Sequence, residues 1–226
     1  MHLFYTPGIS GEIHQLDEQE SKHAVRVLRL RTGDRVVAVD GRGGWHEAVV
    51  ESEDPAKCTL KVISRTSGYQ PLPYELHMAV SLTRQPDRFE WFVEKATEIG
   101  VSTITPLICH RTERHRVRTE RLERIAVSAM KQSLRAWKPV LYEPVTLDRF
   151  LEVNREGTRG VAHCMPGKRR AVHDMPLSGQ YTLLVGPEGD FTEKEVEMVS
   201  HSGYLSFHLG SARLRTETAG VHIVSA

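Results

Sequence analysis

Residues 183–195, LLVGPEGDFTEKE, join an apolar run to a helix start across two glycines, a proline and a carboxylate. Residues 183–185 read as the end of a buried strand. Thr192 with Glu195 makes a capping box, and Phe191 against Val196 is its hydrophobic staple. A strand passing directly into a helix in this way is the unit of an α/β layer with parallel strands. For GPEG itself two readings stay open: a ligand-facing turn, or a tight turn with glycine where φ demands it and proline where φ is already fixed.

Two further strands, GVAHCM and YLSFHL, also run into unusual turns, CMPGKR and GSARLR. Ligands of open α/β sheets bind at the carboxyl ends of strands, where turn N–H groups are unsatisfied. The turns after Met165, Val185 and Leu209 are therefore expected to share one pocket. None matches G-x-x-x-x-G-K-[ST], G-x-G-x-x-G or G-x-S-x-G, which weakens phosphate-gripping and serine-hydrolase readings. In RLRTETA, residues 213–219, Thr216 reads as a helix N-cap, and Glu217 in the first turn suits the helix dipole. The functional reading makes Arg215 a charge stabiliser and Glu217 a base or orienting group.

Upstream, YELHMAVSL is a strand and PDRFEWFVEKATEIG a helix, with Asp87 as cap, Glu90 reciprocating and Gly100 closing it. VSTITPLIC is the next strand. A longer helix then runs from about Thr119, its apolar stripe passing through Leu122, Ala126, Met130, Leu134 and Trp137 until Pro139 stops it. Its opposite face carries Arg121, Arg124, Lys131, Arg135 and Lys138, preceded by the arginine-rich CHRTERHRVR. That pattern suits phosphate contacts and equally a solvated face. SGYQPLPY, residues 67–74, is the linker. Before it RVVAVDG, WHEAVV and CTLKVIS, separated by glycine-rich turns, predict a small β-barrel. There HAVRVLRLRTGD sets Arg26, Arg29 and Arg31 close together, with Val25, Val27, Leu28 and Leu30 expected to pack inward.

A chain of 226 residues accommodates one main domain and a small accessory one. Its net charge of +1 excludes a globally basic nucleic-acid binder, so any basic surface is local. Three scattered cysteines and twelve histidines without ligand spacing argue against a disulfide scaffold or a metal site. No apolar run reaches the roughly 18 residues that a membrane helix needs, and the start lacks an export signal. A soluble protein of the reduced cytoplasm is expected.

These motifs together resemble the RsmE family, SPOUT-superfamily methyltransferases of 16S ribosomal RNA. HAVRVLRLRTGDRVVAVDGRGG carries the likeness in the first domain. DRFEWFVEKATEIGVSTITPL, KQSLRAWKP, LLVGPEGDFTEKE and LGSARLRTETA carry it in the second. The resemblance implies a PUA-like RNA-binding β-barrel over residues 1–72. Over residues 73–226 it implies a parallel sheet flanked by helices and tied in a trefoil knot. It further implies a homodimer that uses S-adenosyl-L-methionine to methylate N3 of uridine 1498 in the small ribosomal subunit. Carried across residue by residue, the cofactor meets His163, Met165 and Gly167, then Gly186, Pro187 and Gly189, then Leu209, Gly210 and Leu214. Arg215 and Glu217 are the catalytic candidates, with Glu188 the competing carboxylate, and Arg26, Arg29 and Arg31 the RNA contacts. Three departures stand out. Lys131 replaces a glutamate usual in relatives, GSARLR replaces a proline-containing turn, and the final helix stops mid-pattern, so that a longer natural chain is expected. Two other readings stay open: a non-catalytic RNA-binding module, and a methyltransferase acting on another RNA.

Overall fold

Short strands expose unpaired backbone groups on both edges, and those of the N-terminal region satisfy one another. The computed structural model describes residues 1–153, 155–175 and 179–226. In it Leu3–Tyr5 (β1), Ile13–Gln15 (β2), Arg35–Val39 (β3), Trp45–Ser52 (β4) and Thr59–Thr66 (β5) form one sheet in the order β1-β3-β4-β5-β2. The pair β1–β3 is parallel, and the other pairs are antiparallel. Phe4, Leu16, Ala24, Leu30, Val36 and Leu60 close its core. A short helix, Glu18–Lys22 (α1), continues into a wider π-type turn over His23–Val27. That turn corrects one expectation, because Val27 is 66% exposed. The i→i+5 bond from Leu28 N–H to the His23 carbonyl rotates Val27 off the face that Ala24 buries.

The second sheet is built from Tyr74–Ser81 (β6), Thr103–Ile108 (β7), Val140–Leu141 (β8), Val145–Thr146 (β9), Thr158–Ala162 (β10), Arg170–Ala171 (β11), Gly179–Val185 (β12) and Leu205–His208 (β13). Its order is β11-β13-β10-β12-β6-β7-β8, with β9 also on β7, and every pairing is parallel. Successive residues of a strand face opposite layers. Accordingly Met78 and Val80 join a core with Phe89, Phe92, Ala219 and Ile223, whereas Ala79 joins Leu107, Phe150, Leu184, Phe191 and Val199. The helices of the first layer are Pro86–Ile99 (α2), part of Thr119–Gln132 (α3) and Thr216–Ser225 (α6). Those of the second are Leu147–Glu152 (α4) and Glu193–His201 (α5). The α/β class and parallel sheet read from the sequence are observed.

By contacts, Met1–Pro71 with Val127–Lys138 form one unit, and Leu72–Ala126 with Pro139–Ala226 form the other. The sequence places residues 127–138 on one long helix of the second domain. Instead α3 stops at Gln132, Leu134 adopts a left-handed φ of 55°, and the chain turns. Gly43 N–H then donates to the Ala136 carbonyl at 2.9 Å and Met130 and Ala136 enter the core with Val37 and Trp45. The cap of α2 also differs. Gln85 is the N-cap and Pro86 opens the helix, since proline's fixed φ and missing N–H suit that position. Glu90 is thereby released from capping and pairs with Arg121 at 2.6 Å. The capping box of Thr192 and Glu195 is present as read.

Candidate active site

The site grows from the polar ends of β10, β12 and β13. In the turn after β12 neither Gly186 nor Gly189 has a positive φ; the left-handed residue is Asp190, at 66°. Gly186 is required for a different reason, since a Cβ there would lie 2.9 Å from the Phe191 ring and 3.2 Å from the Phe191 nitrogen. Asp190 tolerates its backbone because its carboxylate is employed on both sides. One oxygen accepts from Phe191 N–H and the other from Cys164 N–H, each at 2.8 Å. The Cys164 bond ties the turn after β12 to the turn after β10. Thr216 ties it to the third turn, its hydroxyl donating to the Gly186 carbonyl at 3.0 Å. Thr216 is thus no N-cap. Arg215 holds that position, and Thr216 is the first residue inside α6.

These ties close the three turns around one cavity of about 410 Å³. Of the sequence candidates, His163, Gly186, Pro187, Gly189, Leu209, Gly210, Leu214 and Arg215 line it. Met165 and Gly167 lie outside the lining, although Met165 N–H donates to His163 Nδ1 at 3.2 Å. With Nδ1 accepting, Nε2 carries the proton and faces Ser206 Oγ at 3.0 Å. Burial, opposed by Asp190 and reinforced by Arg169, holds the imidazole below its ordinary pKa, so His163 is neutral at pH 7. The sequence reading passed over Arg169 and Asp190 and gave Thr216 only a cap's role, yet all three line the cavity. Arg169 donates to the His163 carbonyl at 2.7 Å. Only the position of Asp190 directly after GPEG hinted at its role.

Residues 211–215 show a different construction. Gly210, at φ 104°, turns the chain and donates to His208 Nδ1 at 3.3 Å. The N–H groups of residues 211–215 donate to no group among the described residues. The two carboxylate candidates also separate. Glu188 lines the cavity and accepts from Arg84 N–H at 3.0 Å. Glu217 is buried outside the lining, with Oε1 3.8 Å from Arg88 Nε and Oε2 without a hydrogen-bond partner among the described residues.

A parallel sheet whose last strands converge on such a cavity has known counterparts. The family described as RNA methyltransferase domain matches residues 70–226, and the RNA methyltransferase PUA domain matches residues 16–63. A ribosomal RNA small subunit methyltransferase E from Aquifex aeolicus is 31% identical over 100% of this chain and 98% of its own. This chain belongs to that family. Among solved structures, a probable rRNA-methyltransferase from Porphyromonas gingivalis is 37% identical, with a TM-score of 0.92 over 99% of this chain and 95% of that one. A ribosomal RNA small subunit methyltransferase E from Neisseria gonorrhoeae, solved bound to S-adenosyl methionine, is 26% identical with a TM-score of 0.88, covering 100% of this chain and 95% of that one.

The five-stranded sheet of this family member holds the arginines read as RNA contacts. Arg26 and Arg29 are exposed. Arg31 is engaged by Glu53 at 3.1 Å, while the other Glu53 oxygen accepts from Thr32 N–H at 2.8 Å. Arg31 therefore has a carboxylate partner 22 positions away in the sequence, beyond local reading.

Proposed function

We propose that this methyltransferase E family member transfers a methyl group from S-adenosyl-L-methionine to N3 of uridine 1498 of 16S rRNA in the small ribosomal subunit. It does so as a cytoplasmic homodimer. The observation that carries the reading is the closure of three strand-end turns around one cavity by the Asp190–Cys164 and Thr216–Gly186 hydrogen bonds. The cavity volume lies within the range of small-molecule sites, roughly 300–1,000 Å³. Its chemistry fits the cofactor. The N–H groups of residues 211–215, which donate to no group among the described residues, suit the polar edge of an adenine. Arg169 and Arg213 offer cations to a carboxylate, and Glu188 offers an anion to an ammonium or sulfonium. When bound, this cofactor supplies an electrophilic methyl group.

The chain's own task is to make a poor nucleophile competent. N3 of uracil carries a proton at neutral pH, and its loss spreads negative charge onto O2 and O4. Arg215, exposed at the cavity wall and seated at the N-terminus of α6, is the charge stabiliser. Glu217, two residues on and paired with Arg88, takes the orienting role rather than that of the base. Support for the RNA side comes from the matched PUA domain and from Arg26 and Arg29, both exposed. The trefoil threading belongs to the same reading, supported by the position of β10 between β12 and β13 and by the packing of α6 on α2.

The test is methylation of 30S subunits lacking the modification, followed by mass spectrometry of the 16S rRNA. Stoichiometric N3-methyluridine at position 1498 is expected. Transfer to another nucleotide would replace the target, and the absence of any saturable calorimetric signal with S-adenosylmethionine would reduce the protein to an RNA-binding module.

A further inference from the structure

The arginine-rich segment ahead of α3 has no part in the site so far, and the structure separates its charges from those of the helix. On α3 two of the three cations are paired with carboxylates, Arg121 with Glu90 and Lys131 with Glu20, each at 2.6 Å, whereas Arg124 donates only to the Glu120 carbonyl of its own helix at 3.4 Å. In residues 110–118 the one acid, Glu113, is already paired with Arg84 at 3.2 Å. Arg114 donates from Nε to the Arg116 carbonyl at 2.7 Å and has no carboxylate partner among the described residues. Arg116 and Arg118 are exposed, and neither side chain has a partner among the described residues.

The same segment is fastened to the cavity wall. Arg111 donates to the Gly189 carbonyl and, at 3.5 Å, to the Phe191 carbonyl. Its Cδ lies 3.1 Å from where a Cβ of Gly189 would sit. His110 N–H donates to Glu195 Oε1 at 2.7 Å, and Thr112 is buried against Ser81, hydroxyl to hydroxyl at 2.8 Å. The free arginines therefore start at the rim of the cavity and extend no further than about 23 Å along the chain from Arg111, seven residues at roughly 3.3 Å each.

We propose that residues 110–118 form the track on which the RNA strand leading to the target nucleotide lies, with Arg114, Arg116 and Arg118 contacting its phosphates. Arg111 is the joint between this track and the cavity wall. The inference rests on the proposed methyl transfer and adds to it where the nucleic acid runs on the catalytic unit. A protein partner fits less well, because the segment offers charge and no exposed large apolar side chain; Val117 packs inward. Uncompensated cations in an extended row are what a phosphodiester backbone requires.

The test uses the full-length protein and 30S subunits lacking the modification. Arg116→Gln with Arg118→Gln should weaken binding about tenfold near 100 mM salt. It should also make the slope of log affinity against log salt shallower by about 1.4, two single-strand phosphate contacts at roughly 0.7 each. Affinity for S-adenosylmethionine, measured by calorimetry, should stay within about twofold. Arg121→Gln, whose partner is Glu90, is the control and should leave the slope unchanged. An unchanged slope in the double variant, or an equal change in the control, overturns the track. Failure of the unmodified protein to methylate the subunits would instead sink the proposed function, so the two outcomes are distinguishable.

Discussion

The turn after β12 and the turn after β13 face the same cavity and are built in opposite ways. In the first, Asp190 N–H donates to the Pro187 carbonyl at 2.9 Å, the Asp190 carboxylate bridges two N–H groups, and Glu188 holds Arg84. Arg111 and Thr216 cap the Gly189 and Gly186 carbonyls. In the second, the N–H groups of residues 211–215 donate to no group among the described residues. A turn tied through its carbonyls and carboxylates has fixed geometry, whereas one without such ties keeps its donors for a ligand at a cost in order. A cofactor site needs both, a rigid wall for shape and a turn with unspent donors for recognition.

Four substitutions or conditions press on that contrast. Gly186→Ala attacks the rigid wall directly. Its methyl group meets the Phe191 ring and backbone, so about 1–3 kcal/mol of stability is lost, and calorimetry should find no saturable S-adenosylmethionine binding. Arg215→Lys acts on the open turn. It keeps the charge but loses the planar fork, so single-turnover methylation should slow about 100-fold while cofactor affinity barely moves. A parallel loss of affinity would make Arg215 a cofactor ligand. Asp190→Ala unties two turns and leaves a residue less suited to its positive φ. About 2 kcal/mol of cofactor binding, roughly 30-fold, should go with it, and Asp190→Asn should recover part.

The smallest effect is set by pH. In the folded protein the pKa of His163 is depressed, so the unfolded chain takes up its proton first, near pH 6.5. Its contribution to stability is thus complete above that pH and declines as pH falls toward the folded value. Protonation also removes the acceptor for Met165 N–H. Cofactor affinity should be flat from pH 8 to about 6.5 and drop about fivefold below it, one neutral hydrogen bond. An affinity that stays flat while NMR shows the His163 ring taking up its proton would show that the imidazole is not coupled to binding.

Much of this was legible in the sequence where local chemistry decides the outcome. The box of Thr192 and Glu195 needs only residues three apart, and β6 needs only its own stretch, YELHMAVSL. Three strands ending in glycine-bearing turns also announced a shared pocket. What escaped was settled by distant partners. Thr216 looks like a cap until the Gly186 carbonyl, 30 residues away, claims its hydroxyl. Glu90 leaves the start of α2 for Arg121, 31 residues on, and α3 ends early because residues 127–138 find another core. One of the two readings of GPEG makes its glycines answers to φ, whereas Gly186 answers to the Phe191 ring, and the left-handed position falls to Asp190.

One further residue of the cavity wall gives the protein a built-in chemical handle. Cys58 and Cys109 are buried, and burial pushes the Cys109 thiol up to about 12, so neither presents a thiolate to reagent at neutral pH. Cys164 is exposed and lines the cavity beside Asp190. Brief treatment with iodoacetamide should therefore alkylate a single sulfur, and occupancy of the pocket should slow it. The protein can carry a fluorophore at its own binding site without any engineered cysteine.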